Sequence, residues 1–267
     1  MDPVRSRMIT TTTIGSEEDR YPILESIWDF FSEKATKTVF VSIGSASTCL
    51  PDLDFAEMIG CPILKLDTPS EAKKWLEVKD ILKTRKVPES ASDFAKPAMK
   101  KWVLAKNLVV KECFPSYANG TIEINGSLCQ MQSWTSLLKE YCNSIGISEE
   151  NPHVDIVKIE ASENISMFLN SLWHCGFRPS LLLIHWPESP NTDLACLIPA
   201  AHLQMLGYAL VGKEQNKFLY YYTDVNYYET CEWDIVSNKC ENPLMKNLIE
   251  SIFPVSQKTG VQFPLQK

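Results

Sequence analysis

Four short apolar runs, separated by stretches with helical spacing, constrain the fold of this chain more than any other feature. They are Thr38–Gly44, Cys61–Asp67, Val154–Ile159 and Pro179–Trp186. Each is nearly continuous in Val, Ile, Leu, Phe or Cys rather than alternating with polar residues, so each predicts a strand buried on both faces. Gly44 stops the first and Pro187 the last. Thr68-Pro69-Ser70-Glu71 opens a helix running to about Lys83, with a hydroxyl cap, a proline and an acid where a helix start wants them. Trp134–Cys142 reads as a short helix. Asn164–Cys175 reads as another, with Ile165, Phe168, Leu169 and Leu172 on one face and Gly176 closing it. A further helix is expected over Asp193–Leu206. Asn107–Glu112 and Gly120–Ile124 read as strands, and Tyr208–Val211 with Lys217–Tyr222 as an antiparallel pair that ends the sheet. Strands alternating with helices predict an α/β domain: a mostly parallel sheet covered on both faces, with an antiparallel C-terminal edge.

The domain is expected over residues 21–225, opening on a helix in which Tyr21-Pro22 lead and Ile23, Ile27, Phe30 and Phe31 share a face. Residues 1–20, polar and with four consecutive threonines, read as a flexible N-terminal arm. Residues 226–267 read as an extension with a peripheral helix from Asn242 to Phe253, and the Lys-, Pro- and Ser-rich stretch 83–101 as an insertion or mobile lid.

Composition narrows the function classes. Lys plus Arg is 26 and Asp plus Glu is 33, a formal charge of −7. A protein whose main task is to grip nucleic acid needs a concentrated basic surface, so that class is disfavoured. Hydrophobic residues at 45 % are enough to build a core without disulfide or metal staples. No apolar run reaches the length of about 18 residues that a membrane-spanning helix needs, and the N-terminal stretch lacks the apolar core of a secretory signal. The nine cysteines are scattered, odd in number and never spaced CxxC. They are expected to be reduced and mostly buried, and the protein to be intracellular and cytoplasmic. No metal site is expected: Cys231 and Cys240 have no histidine beside them, and His153, His174 and His202 fall on a loop and two helices.

In an open parallel sheet, ligands bind beyond the C-terminal strand ends. There the first strand runs into Ser42-Ile43-Gly44-Ser45-Ala46-Ser47-Thr48, a small-residue turn that a ligand could approach closely. The second ends in Asp67, where a carboxylate can accept from both hydroxyls of a ribose. The plainer reading of Asp67 is a cap on the following helix. The third strand ends in Lys158-Ile159-Glu160 and the fourth in His185-Trp186, which places two more chemical groups at the same edge. Read plainly, Lys158 and Glu160 are a structural ion pair and His185 a packed ring.

The order of these segments resembles that of the FkbM-type S-adenosylmethionine-dependent methyltransferases. That family has a strand of the form DLLKIDVEGAE, an apolar helix, a strand such as PKIILVE and a helix ending in GY. Here Val154–Glu163, Pro179–His185, Leu206-Gly207-Tyr208 and Asn216–Tyr220 follow in that order, and Trp134–Leu138 resembles the family's TLDDL helix. The likeness spans roughly residues 38–223 and implies a Rossmann-like methyltransferase fold with a seven-strand sheet. It further implies S-adenosylmethionine held at Ser42, Gly44, Ser45 and Asp67. The implied reaction is methyl transfer to a hydroxyl of a sugar or another small acceptor, with Glu160 or His185 as base and Lys158 steadying charge.

Departures accompany the likeness. Ser42 stands where the family has an acid and Thr48 where it has a second glycine; Glu160 replaces Asp, and Ser162-Glu163 replace Glu-Gly. Two readings follow. One is a divergent O-methyltransferase. The other is a catalytically silent methyltransferase-like domain that serves as a binding or structural component, with a protein partner. A different nucleotide-using α/β enzyme is a third.

Overall fold

The computed structural model describes residues 11–17, 19–24, 38–104, 108–124, 126–147, 153–160, 164–186, 203, 206–222, 233–234 and 239–240. The helix expected over 242–253 lies outside them, as does nearly all of the one expected over 193–206.

The chain opens with a hairpin, β1 (Thr11–Ile14) against β2 (Tyr21–Leu24), paired antiparallel from Thr11↔Leu24 to Ile14↔Tyr21. Tyr21–Leu24 is therefore a strand and not the start of a helix, and the second half of the expected arm is its partner. Threonine is β-branched, so a run of it takes an extended strand readily once a partner strand is at hand. Gly15 turns the chain after β1 at φ +93°; a Cβ there would sit 2.1 Å from the backbone oxygen of Asp19.

Next come β3 (Phe40–Ile43), α1 (Leu50–Ile59), β4 (Ile63–Leu66), α2 (Pro69–Thr84) and a 3-10 segment, Lys96–Leu104. After β5 (Leu108–Lys111) the chain makes β6 (Cys113–Ser116), β7 (Gly120–Ile124), β8 (Ser127–Ser133) and α3 (Trp134–Ser144). It then continues through β9 (Ile156–Ile159), α4 (Ile165–His174), β10 (Leu181–His185), β11 (Tyr208–Glu214) and β12 (Lys217–Tyr222). The short strands β13 (Trp233–Asp234) and β14 (Lys239–Cys240) pair with each other.

The main sheet has seven strands in the order β11-β12-β10-β9-β3-β4-β5. β10, β9, β3, β4 and β5 run parallel, and β12 is antiparallel to both of its neighbours. Taken in chain order, the sheet's strands lie 3-2-1-4-5-7-6, with only the seventh reversed. This is the Rossmann-like methyltransferase sheet. Strand order reverses between β3 and β9, so the switch point at which such sheets bind ligands lies between them.

Both faces are covered, as continuous apolar strands require. Phe40, Ile63, Ile156, Leu181 and Leu183 pack under α1 and α2, with Phe55, Trp75 and Ile81. Val41, Leu64, Val157, Leu182 and Ile184 pack under α3 and α4, with Leu138, Phe168 and Leu172. α2 begins as its sequence predicts: the Thr68 hydroxyl accepts from the Glu71 backbone N–H, and Pro69 fills the first turn.

Two further regions differ from expectation. The expected lid is packed down: Ala91, Phe94, Ala95 and Ala98 are buried, Phe94 meets Trp75 edge to face at 5.2 Å, and Ser92 is held by Glu77 through both N–H and hydroxyl. The second is a small sheet of order β6-β8-β7 between β5 and α3, of which only β7 was legible. Asn125-Gly126 is the missed signal in the sequence, because that dipeptide favours a hairpin, and β7 pairs antiparallel with β8 from Gly120↔Met131 to Ile124↔Ser127.

Candidate functional site

Two rows of residues cross the C-terminal end of the sheet on the face under α1. The lower row is set by register: Ser42 of β3 lies opposite Lys65 of β4 on one side and Lys158 of β9 on the other. In the upper row, one pleat further on, come Asp67, Gly44, Glu160, His185 and Lys217, because side chains two apart share a face. All seven residues singled out from sequence are brought together here: Ser42, Gly44, Ser45, Asp67, Lys158, Glu160 and His185.

The lower row is sealed. The side chains of Lys65 and Lys158 are 0 % and 1 % exposed, and Asp52, from the first turn of α1, is 2 % exposed between them. Lys65 Nζ donates to Asp52 Oδ2 at 3.1 Å, to Ser42 Oγ at 2.9 Å and to the Gly44 carbonyl. Ser42 Oγ itself donates to Asp52 Oδ2 at 3.0 Å. Lys158 Nζ lies 3.0 Å from Asp52 Oδ1, off the line for a hydrogen bond, and donates to Glu160 Oε2. Two lysines thus face two carboxylates. Burial is the largest single influence and would raise the Asp52 and Glu160 carboxyls, but Lys158 and Lys65 together outweigh it at Asp52, and Lys158 and His185 together at Glu160. Both carboxyls are held below the usual carboxylate range. Burial pulls the Lys158 ammonium the other way, and Asp52 and Glu160 keep it charged.

His185 is 30 % exposed at the rim. Its Nδ1 lies 3.3 Å from Glu160 Oε1, and its Nε2 lies 2.7 Å from the Asn216 side-chain amide nitrogen. With Nδ1 donating and Nε2 accepting, a neutral ring has both nitrogens engaged.

Asp67 is turned inward, 3 % exposed. It accepts from the Ser45 hydroxyl and from the Thr68 backbone N–H at 2.9 Å, while Trp75 Nε1 donates to Ser45 Oγ at 2.9 Å. Burial dominates here: despite Lys65 and Ser45, the Asp67 carboxyl is pushed above its ordinary range. A raised folded-state pKa stabilises the fold at low pH and loses that contribution as pH rises through it. Asp67→Asn is therefore expected to match or exceed the native melting temperature at pH 7, an advantage that vanishes below about pH 4. Melting curves across that range check it; a variant clearly less stable at pH 7 contradicts the inward, protonation-favouring environment.

The N-terminal hairpin closes the site from above. Asp19 accepts from both the backbone N–H and the hydroxyl of Ser47 at 3.1 Å and from Lys217 Nζ. The fully buried ring of Tyr21 lies under two ammonium groups, with Lys158 Nζ at 4.9 Å and Lys217 Nζ at 4.7 Å from its centre. Gly15 N–H donates to Asp54 Oδ2 at 3.0 Å, tying the hairpin to α1. Asp19, Tyr21, Asp52, Lys65, Asn216 and Lys217 are the members of the site that sequence reasoning missed. Lys65 carried a signal, a lysine inside the apolar run Ile63–Leu66, which a doubly covered strand tolerates only with a buried partner. The two cysteines nearest α1 are poor nucleophiles: burial pushes the Cys49 and Cys61 thiols up to about 12.

Fold and strand-end geometry together define the class, a methyltransferase-type Rossmann-like domain with a closed, self-paired switch point. No family model matches the sequence, and no curated protein matches it. Among solved structures, an uncharacterized protein from Listeria monocytogenes serotype 4b is similar over 76 % of this chain and 69 % of its own, at 8 % identity and a TM-score of 0.33. The METTL16 MTase domain is similar over 74 % of this chain and 65 % of its own, at 11 % identity and a TM-score of 0.33. A human methyltransferase 10 domain containing protein is similar over 74 % and 80 %, at 12 % identity and a TM-score of 0.34. These likenesses are too distant to add to what the strand order itself shows. Among the described residues, no helix is long and apolar enough to cross a membrane.

Proposed function

We propose that this chain is a methyltransferase-fold domain that acts as a binding or structural component, with a protein partner, and not through cofactor chemistry. One observation carries the reading. The groups that S-adenosylmethionine would use at the switch point are committed to the chain's own side chains. The Ser47 N–H is given to Asp19, Asp67 is engaged by Ser45 and Thr68, and both acids beside Lys158 are paired to lysines. The cofactor's sulfonium and amino groups are cationic and seek free carboxylates, whereas the free valence here is already met. In this conformation the residues do not fit the cofactor. Glu160 and His185 do not suit a general base either. The first is held at low pKa, which makes it a weak proton acceptor, and the second has both nitrogens occupied.

A second reading has one observation in its favour. Asp67 is a buried carboxylate with a raised pKa at the end of the second parallel strand, where a ribose would be gripped, and a fold keeps such a cost most readily for a ligand. Under that reading the chain is a divergent FkbM-type O-methyltransferase acting on a sugar or other small hydroxylated acceptor, and the hairpin must lift before the cofactor enters.

Calorimetric titration with S-adenosylmethionine and its demethylated product separates the two. The expected result is no heat and no thermal shift at about 1 mM ligand. Micromolar binding that disappears in Asp67→Ala overturns the first reading in favour of the second.

A further inference from the structure

On the face under α4, opposite the face that carries the strand-end cluster, two adjoining hollows form one groove. A hollow of about 740 Å³, open to solvent, lies between the turn after β6 and the side of α4, and a shallower depression of about 570 Å³ lies over β8. They share Asn119 and Met131, and neither shares a residue with the strand-end cluster. The size is that of an ordinary small-molecule site.

Its chemistry is specific. In a chain with 22 % charged residues, no Asp, Glu, Lys or Arg among the described residues lines either hollow. Tyr117 is 66 % exposed, and its ring is held edge to face against His174, centroids 5.5 Å apart at 64°. An exposed aromatic ring held in place by a neighbour is a platform rather than a loose side chain. Met131 makes a half-buried apolar floor, and Gly120 keeps it open, since a Cβ there would lie 3.3 Å from the Met131 methyl. Asn119 Oδ1 accepts from the Ser133 backbone N–H at 3.0 Å, which fixes the amide and leaves its NH₂ to donate. Asn170, on the rim of α4, makes no hydrogen bond among the described residues.

We propose that this groove binds a neutral saccharide. A sugar ring offers an apolar C–H face, which Tyr117 can take as it would another ring edge, and a rim of hydroxyls that both donate and accept, which the two amides match. The groove lacks what other small ligands need. A phosphate or carboxylate is best held by a Lys or Arg, and among the described residues neither lines it. The site stands whether or not the strand-end crevice takes a cofactor, and it lies apart from that crevice, where the resemblance would put an acceptor.

Saturation-transfer NMR on the full chain tests this with maltose, cellobiose and chitobiose at about 10 mM each, and with AMP, adenosine and glucuronate as contrasting arms. The expected result is transfer to at least one neutral disaccharide, weakened about fivefold in Tyr117→Ala and likewise in Asn170→Ala. Both positions are exposed, so these variants keep the fold, and Val87→Ala, another exposed position, should leave the signal intact. Transfer to no neutral sugar, transfer undiminished in Tyr117→Ala, or a preference for AMP, adenosine or glucuronate overturns the proposal.

Discussion

Lys158→Met is expected to cost about 3–5 kcal/mol of folding stability, because it removes the shared partner of two buried carboxylates. Asp52 keeps Lys65 at 3.1 Å and the Ser42 hydroxyl, but among the described residues the one group left at ion-pair distance from Glu160 is His185. Methionine fills nearly the same volume, so the loss measures the orphaned charge and not a cavity. Urea denaturation should show a lower midpoint with an unchanged slope. Adding Glu160→Gln to Lys158→Met should recover part of the loss, since a neutral amide in place of an unpaired carboxylate removes most of the penalty. A loss below about 1 kcal/mol would mean that the cluster is not the closed ion network described here.

The pH dependence carries the same argument with its sign reversed between the two proteins. In the native chain Asp52 and Glu160 have folded-state pKa values below their unfolded ones. Their contribution is complete above the ordinary carboxylate range and is lost as pH falls below about 4. Without Lys158, burial is the largest influence left on Glu160, and its pKa moves above the unfolded value. The variant should then gain stability relative to the native chain as pH falls from neutral toward about 5, a slope additional to the one that the raised Asp67 pKa gives both proteins.

The parts of this fold legible in the sequence are those decided locally. β3, β4, β9 and β10 announce themselves as apolar runs because a strand covered on both faces has no room for alternation. The α2 start is written in four consecutive residues. Convergence of Ser42, Asp67, Lys158, Glu160 and His185 followed from the same logic, since strand ends in a parallel sheet point to one edge. What failed depends on partners distant in the chain. Lys65 passes for one more residue of an apolar run until Asp52, from another element, is set against it. The threonine run looked like a loose tail because its composition is polar. Its order comes from pairing with β2 and from an ion pair between Asp19 and Lys217, 198 residues apart. No local pattern records that contact. The hydrogen bond between Ser45 and Asp67 was not legible for a related reason: sequence gives the position of a carboxylate but not which partners it engages.

Tyr21→Ala is expected to release the hairpin from the sheet, at a cost of about 3–5 kcal/mol by comparison with other fully buried large aromatics. The ring is 0 % exposed and covers two ammonium groups, so its loss also lets water reach Lys158 and Lys217. Tyr21→Phe keeps the ring over both cations and should stay within about 1 kcal/mol of native, because the hydroxyl has no well-formed hydrogen bond to lose. Hydrogen exchange supplies the sharper readout. The Ser47 N–H is protected by Asp19 alone, so it should exchange at near the unprotected rate once the hairpin lifts, while Ile43 and Val157, inside the sheet, stay slow. If Tyr21→Ala leaves Ser47 protected, the hairpin is not what closes the crevice. The milder Asp19→Asn variant keeps the hairpin's apolar packing and weakens its hold on Ser47 and Lys217, so it can be assayed even if the alanine variant fails to fold. Binding of S-adenosylmethionine by Asp19→Asn, absent in the native chain, would identify the hairpin as a gate over a working cofactor site. A released loop that still takes no cofactor would place the obstacle in Lys65, Lys158 and their acids, below the reach of any lid.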